Sequence, residues 1–153
     1  MNRNDFEFNP GAYNFCLPIQ LRFNDIDILG HLNNIVYFSL FDTAKAQYFQ
    51  AVFNGTWDWN KVETVIANVN CSFINSAYYG ENLAIYTRCE EMGLKSFTLR
   101  QVLVNLDTME VKAVCDSVMV SYDPATKRST PIKESTRSRF EAFEKRAFPL
   151  PEA

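Results

Sequence analysis

IVYFSLFDTAKAQYFQAVF, residues Ile35–Phe53, is the stretch that decides the fold. Its apolar positions, Ile35, Val36, Tyr37, Phe38, Leu40, Phe41, Ala44, Tyr48, Phe49, Val52 and Phe53, cover most of a helical circumference over the first two turns. A helix apolar nearly all round is a buried helix, because a surface helix keeps a polar face for water. Asn33 or Asn34 offers an N-cap, whose side-chain oxygen takes an orphan backbone N–H. Gly55 marks the stop.

Outward from this helix the period changes from 3.6 to 2. Toward the N-terminus, Ile19, Leu21 and Phe23 alternate with Gln20, Arg22 and Asn24, which predicts a strand over Cys16 to Asn24. The stretch Asp25 to Gly30 follows as a turn. Toward the C-terminus almost everything from Val62 to Tyr122 reads as strand: Val65 to Phe73, Leu83 to Glu90, Lys95 to Leu106 and Val111 to Tyr122. Tyr79-Gly80, Gly93 and Asp107-Thr108 punctuate them, and Asp123-Pro124 ends the last. The tail from Lys133 to Arg146 is charged and helix-prone, with Phe140 and Phe143 on one side. Strand, buried helix, then four antiparallel strands is an α+β layout, one antiparallel sheet wrapped around one long helix. At 153 residues, with no linker or repeat, the chain reads as a single domain over 1–153.

Composition excludes several functions. Hydrophobic residues make up 47%, which excludes a disordered chain. The net charge is −3 and no dense run of Lys and Arg occurs, so nucleic acid is not expected as a partner. Cys16, Cys71, Cys89 and Cys115 form no CxxC pair, and with one His in the chain neither a metal site nor a cofactor is expected. Free thiols, a polar stretch from Met1 to Pro10 and the lack of any long apolar run point to a cytoplasmic protein without a membrane span.

Three features carry chemistry. Asp25 and Asp27 sit between a strand end and a helix start; spacing alone favours a turn role. The alternative is an acyl-transfer carboxylate, because the helix start supplies free N–H groups and a positive dipole end that polarise a carbonyl. His31, the only histidine, reads first as a packed, hydrogen-bonded ring. No GxSxG elbow or phosphate-cradling glycine loop is present, so catalysis would rest on a carboxylate and backbone dipoles.

The segment Arg22-Phe-Asn-Asp-Ile-Asp-Ile-Leu-Gly-His-Leu-Asn-Asn-Ile-Val-Tyr37 resembles the signature of the 4-hydroxybenzoyl-CoA thioesterase family of hot-dog proteins: an aromatic, DxDxxG, an Asn pair, then xxY. Asp42 with Ala44, Asn68 to Gly80, Lys95-Ser96-Phe97 and Val118 to Asp123 extend the likeness in outline. The resemblance implies a hot-dog fold and hydrolysis of an acyl-CoA substrate. It assigns Asp27 as the catalytic carboxylate, the N–H of Asn34 as the carbonyl-polarising donor and His31 as a further catalytic-site residue. Asn33, Tyr37, Lys95 and Ser96 fall at substrate-binding positions, and Asp25 at a turn-shaping one.

Two departures keep alternatives open. Plant-type acyl-carrier-protein thioesterases share the HxNNxxY stretch but place Asn where this chain has Leu29, while His31 stands at their histidine. An acyl-carrier-protein substrate is one alternative, and a non-catalytic acyl-thioester-binding protein is the other. A single sheet around one helix leaves an edge strand and an apolar flank for a second subunit, so a homodimer or homotetramer is expected. Tyr37, Phe38, Phe41, Trp57 and Trp59 are candidates for an acyl pocket or plain core.

Overall fold

The computed structural model describes residues 6–58 and 63–151. Trp59 and the strand start at Val62 lie outside the described residues, as does the first part of the polar stretch from Met1 to Pro10. The element order is β1 (Cys16–Ile19), α1 (Asn34–Val52), β2 (Thr64–Phe73), β3 (Leu83–Met92), β4 (Ser96–Asn105), β5 (Val111–Asp123), β6 (Arg128–Ser129) and α2 (Glu134–Glu144). Among the described residues every strand pairing is antiparallel, in the order β1-β3-β4-β5-β2, with β6 on the end of β5.

Asn33 caps α1: its Oδ1 accepts the N–H of Ile35 at 3.1 Å. The helix ends where Asn54 (φ 57°) and Gly55 (φ 77°) turn left-handed, and the Gly55 N–H donates to the Gln50 carbonyl at 2.8 Å. Burial along α1 is a stripe, not a cylinder. Tyr37, Phe41, Ala44, Tyr48 and Val52 are buried at helical spacing, whereas Ile35 and Phe38 are exposed. All-round burial is thus not met in the single chain, because the curled sheet covers only one side.

Two cores divide the helix. Around its first half, Leu32, Tyr37, Phe41 and Ala44 pack with Ile85, Leu103, Ala113 and Cys115. Around its second half, Tyr48, Phe49 and Val52 pack with Leu99, Met119 and Phe140 of α2. There the Tyr48 hydroxyl and the Cys89 N–H both donate to Glu144, at 2.5 and 3.2 Å, which ties α2 to the sheet. A third cluster, with Phe6, Phe8 and Tyr13 against Val102, Val104 and Tyr86, covers the other face.

The two edges differ. β1 is four residues long and carries Pro18, a blunted edge. β2 is ten residues without proline, exposed over most of its length, and it has a register shift between Ile66 and Asn68. The expected strand over Cys16 to Asn24 stops at Ile19, and Phe23 is 83% exposed, because a 3-10 turn over Phe23–Asp25 breaks the alternation. A curled antiparallel sheet cradling one long helix is the hot-dog architecture.

Candidate active site

The loop from Asp25 to Asn33 is built by two carboxylates with different tasks. Asp25 is buried and closes the 3-10 turn: its Oδ2 accepts the Arg22 N–H at 2.8 Å, and Oδ1 accepts Arg22 Nε and Nη2 at 3.2 and 3.0 Å. Burial alone would push its carboxyl up, but the Arg22 backbone and guanidinium outweigh that and hold it below the usual aspartate range. The Asp25 carbonyl also accepts the Asn33 N–H at 2.9 Å, which seats the helix cap.

Asp27 turns the other way. Its Oδ1 accepts the N–H of Leu29 at 2.9 Å and of His31 at 3.4 Å, while its backbone N–H donates to the His31 carbonyl at 2.9 Å. Gly30, at φ 82°, supplies the left-handed residue that this tight loop requires. One carboxylate oxygen is thereby held by two backbone donors, and the side chain borders a cavity.

The helix start borders the same cavity. Asn33 Oδ1 takes the Ile35 N–H and the Asn33 carbonyl takes the Val36 N–H at 2.9 Å. The N–H of Asn34, the first helical residue, has no acceptor among the described residues and belongs to the positive end of α1. The cavity, about 240 Å³, is lined by Asp27, Leu29, His31, Leu32, Asn34, Tyr37, Phe73, Asn75 and Ser76.

The opposite wall comes from the segment after β2. Leu32 N–H donates to the Ala77 carbonyl at 2.8 Å, and His31 bridges to Tyr78. The His31 ring stands edge-on to Tyr78 with centroids 5.2 Å apart, and its Nδ1 lies 3.5 Å from Ser76 Oγ. Buried Lys112 holds this segment: Nζ donates to the Ser76 carbonyl at 2.9 Å and meets Glu81 at 3.0 Å and Glu110 at 2.5 Å. Burial would lower that ammonium's pKa, yet the two carboxylates hold it above the ordinary lysine range. Tyr37 packs its ring 4.9 Å from Phe73, and burial pushes its hydroxyl up.

Asp27, His31, Asn34 and Tyr37 are thus brought together, and Asn33 acts as the cap behind them. Lys95 and Ser96 are not brought to this cavity within the chain. Ser96 pairs with Val120 of β5, whereas Phe73 of the cavity pairs with Ala113. Seven residues of strand separate those positions, about 23 Å. Phe73, Asn75 and Ser76 are wall residues that the sequence reading passed over; the Asn-Ser pair directly after a strand was the one local signal. Among the described residues no cluster of three His, Cys, Asp or Glu could hold a metal, and no helix is long and apolar enough to cross a membrane.

The cleft between a loop carboxylate and a helix N-terminus thus lies on a hot-dog sheet. Residues 21–140 match the model of the thioesterase-like superfamily, and the chain belongs to that family. A thioesterase from Thermus thermophilus, described as complexed with coenzyme A and Zn, is 26% identical, with a TM-score of 0.79 over 88% of this chain and 97% of that one. 4-Hydroxybenzoyl-CoA thioesterase, as a mutant complexed with 4-hydroxybenzoyl-CoA, shares the fold at 22% identity and TM-score 0.73, over 82% and 97% of the chains. The uncharacterized protein YsmA of Bacillus subtilis (strain 168) is 28% identical over 96 residues, 63% of this chain; the match spans 65% of that relative, just under two thirds.

Proposed function

We propose that this protein hydrolyses an acyl-CoA thioester to a free acid and CoA, as one domain over 1–153 placed among the relatives of 4-hydroxybenzoyl-CoA thioesterase. The observation that carries the reading is that Asp27 and Asn34, whose N–H has no acceptor among the described residues, line one cavity. The thioester carbonyl accepts a hydrogen bond from Asn34, where charge develops as the carbon becomes tetrahedral. Asp27, with Oδ1 held by two N–H groups, takes a proton from an attacking water, or attacks the carbon itself to give an anhydride that water then opens. The C–S bond breaks and the departing thiolate takes up the proton. Tyr37 and Phe73 form the apolar wall for the acyl group, and His31 lines the same cavity.

The proposal includes a second subunit. The open edge of β2, with Val65, Ile66 and Val69 exposed, and the exposed apolar rim at Ile28, Leu29 and Ile35 suit a homodimer or a homotetramer. In such an assembly Lys95 and Ser96 of one subunit would serve the CoA arm bound to another.

The test is thiol release from short, long and aromatic acyl-CoAs by wild type and Asp27→Asn, with light scattering on both. Turnover that falls at least about 100-fold in the variant, with the assembly intact, is the expected result. Equal rates remove Asp27 from the chemistry, and a monomer that hydrolyses at full rate removes the shared site. His31 in the cleft favours one second reading, an acyl-carrier-protein thioester as substrate. Faster turnover of an acyl group on carrier protein than on CoA would establish it, and binding of either without turnover would make the protein a ligand-binding member of the fold.

A further inference from the structure

We propose that Cys71 and Cys115 are a reversible dithiol–disulfide pair, a modification site on the helix-facing side of the sheet. The two residues are direct cross-strand partners on β2 and β5. The Ile74 N–H donates to the Lys112 carbonyl at 2.8 Å, so 74 and 112 form a hydrogen-bonded pair. Antiparallel pairs alternate, and three positions along the ladder 71 and 115 fall at a non-hydrogen-bonded pair. Such pairs hold their Cα atoms about 4.5 Å apart with side chains closest, inside the range of about 4.4–6.8 Å that a disulfide spans. The one register shift of this ladder lies beyond them, between Ile66 and Asn68, so the alternation holds.

The other two thiols serve as internal controls. Cys16 stands opposite Tyr86 and Cys89 opposite Leu99, so neither faces a cysteine across its ladder. Cys115 is buried in the core beneath α1, while Cys71 packs against that core and is half-exposed. An oxidant therefore arrives at Cys71, and Cys115 lies behind it. Within the pair the neighbouring Cys71 thiol, with help from the Lys45 ammonium, holds the Cys115 thiol below its ordinary range, and the same pairing pushes the Cys71 thiol up, so Cys115 is the more acidic partner. Lys45 is itself buried and has Asp42 at 3.6 Å as its ion partner.

The oxidant is hydrogen peroxide. One thiolate attacks a peroxide oxygen, the O–O bond breaks, and the released hydroxide takes the proton that the thiol gave up. The second thiol attacks the resulting sulfenic sulfur, S–S forms, and the expelled hydroxide leaves with the second proton as water. Two thiols lose two electrons and the peroxide becomes two waters. A dithiol reductant reverses the bond by exchange. Phe73, two residues on from Cys71 along the same face, lines the candidate cleft, so the pair lies on the strand that leads into its wall.

The experiment uses the full chain, reduced, then treated with equimolar hydrogen peroxide, denatured with an alkylating reagent and mapped by mass spectrometry. Two of the four cysteines should escape alkylation, in one peptide joined through Cys71 and Cys115 that dithiothreitol separates. The double variant Cys16→Ser/Cys89→Ser should form the same link. Cys71→Ser should end its oxidation at Cys115 or show none; where that variant does not fold, Cys71→Ala replaces it. Four alkylated thiols, a link to Cys16 or Cys89, a link between two molecules, or sulfinic acid at Cys71 without any S–S bond would each overturn the pair.

Discussion

Asn33 offers the sharpest handle on the proposed chemistry, because it supports the helix start without lining the cavity. Its Oδ1 accepts the Ile35 N–H at 3.1 Å. Asn33→Ala removes that bond and should cost about 1 kcal/mol, an N-cap loss, or roughly 2–4 °C in melting temperature for a chain of this size. Asn33→Asp keeps an acceptor of equal quality and adds a charge that the dipole welcomes, so stability should hold or rise. Its effect on turnover is opposite in sign. A carboxylate roughly 4–6 Å from a developing oxyanion at the Asn34 N–H repels it by about 3–4 kcal/mol at an effective dielectric constant near 20. Position 33 is only half-buried, and screening by water removes about half of that. The remainder lowers kcat about 10–30-fold, and the deficit should shrink in high salt. Thiol release from acyl-CoA, followed beside thermal melts at two ionic strengths, reads both effects. Asn33→Asp that melts like wild type and turns over at the wild-type kcat would refute charge development beside Asn34.

Other outcomes follow from single contacts. The carboxyl of Asp25 is held below its ordinary range in the fold, so its stabilisation is present at neutral pH and is lost as pH falls through about 4, the unfolded value, toward the depressed one; melting curves from pH 6 to 3 should steepen in that window, and Asp25→Asn should flatten it. Phe140→Ala empties a fully buried ring site and should cost about 3–5 kcal/mol, while kcat on the folded protein at low temperature stays unchanged. Val69, at a non-hydrogen-bonded position of the same ladder as Cys71, turns its own N–H to the open edge, so Val69→Pro should spare the β5 ladder and abolish edge pairing. Light scattering should then show monomers, and thiol release should fall with them.

Local features were legible in the sequence, and long-range ones were not. The Asn33 cap, the stop at Gly55 and strands β3 to β5 come from local signals, because capping and half-buried pleats write themselves into neighbouring residues. The same alternation misled at Phe23, where the Asp25 bonds to Arg22 favour a 3-10 turn over two more residues of strand. It misled again on α1, since an apolar circumference promises burial that a single chain supplies on one side only. Asp27 and Asn34 were legible as turn and helix start next to each other in sequence. Ser76, 45 residues from His31, reaches it only through the bridge between His31 and Tyr78, and no local pattern announces such a contact. Lys95 and Ser96 carry a sequence likeness and not a position, and the strand register sets them far from the cleft of their own chain.

The split of the core along α1 also bears on how such a chain changes over generations. Val52 stands 18 residues from Asn34, about 27 Å along the axis, and substitutions that far apart add nearly independently. The half of the molecule around Tyr48, Phe49 and Phe140 therefore acts as a reservoir of stability that can be depleted, repaired or rebuilt with other aromatics while the first helical turn keeps its geometry. Descendants of this chain can drift widely in that half and still inherit the same chemistry, whereas the loop from Asp25 to Asn34 has little slack, because its turns are held by bonds of Asp25 to Arg22 and Asn33 and of Asp27 to Leu29 and His31.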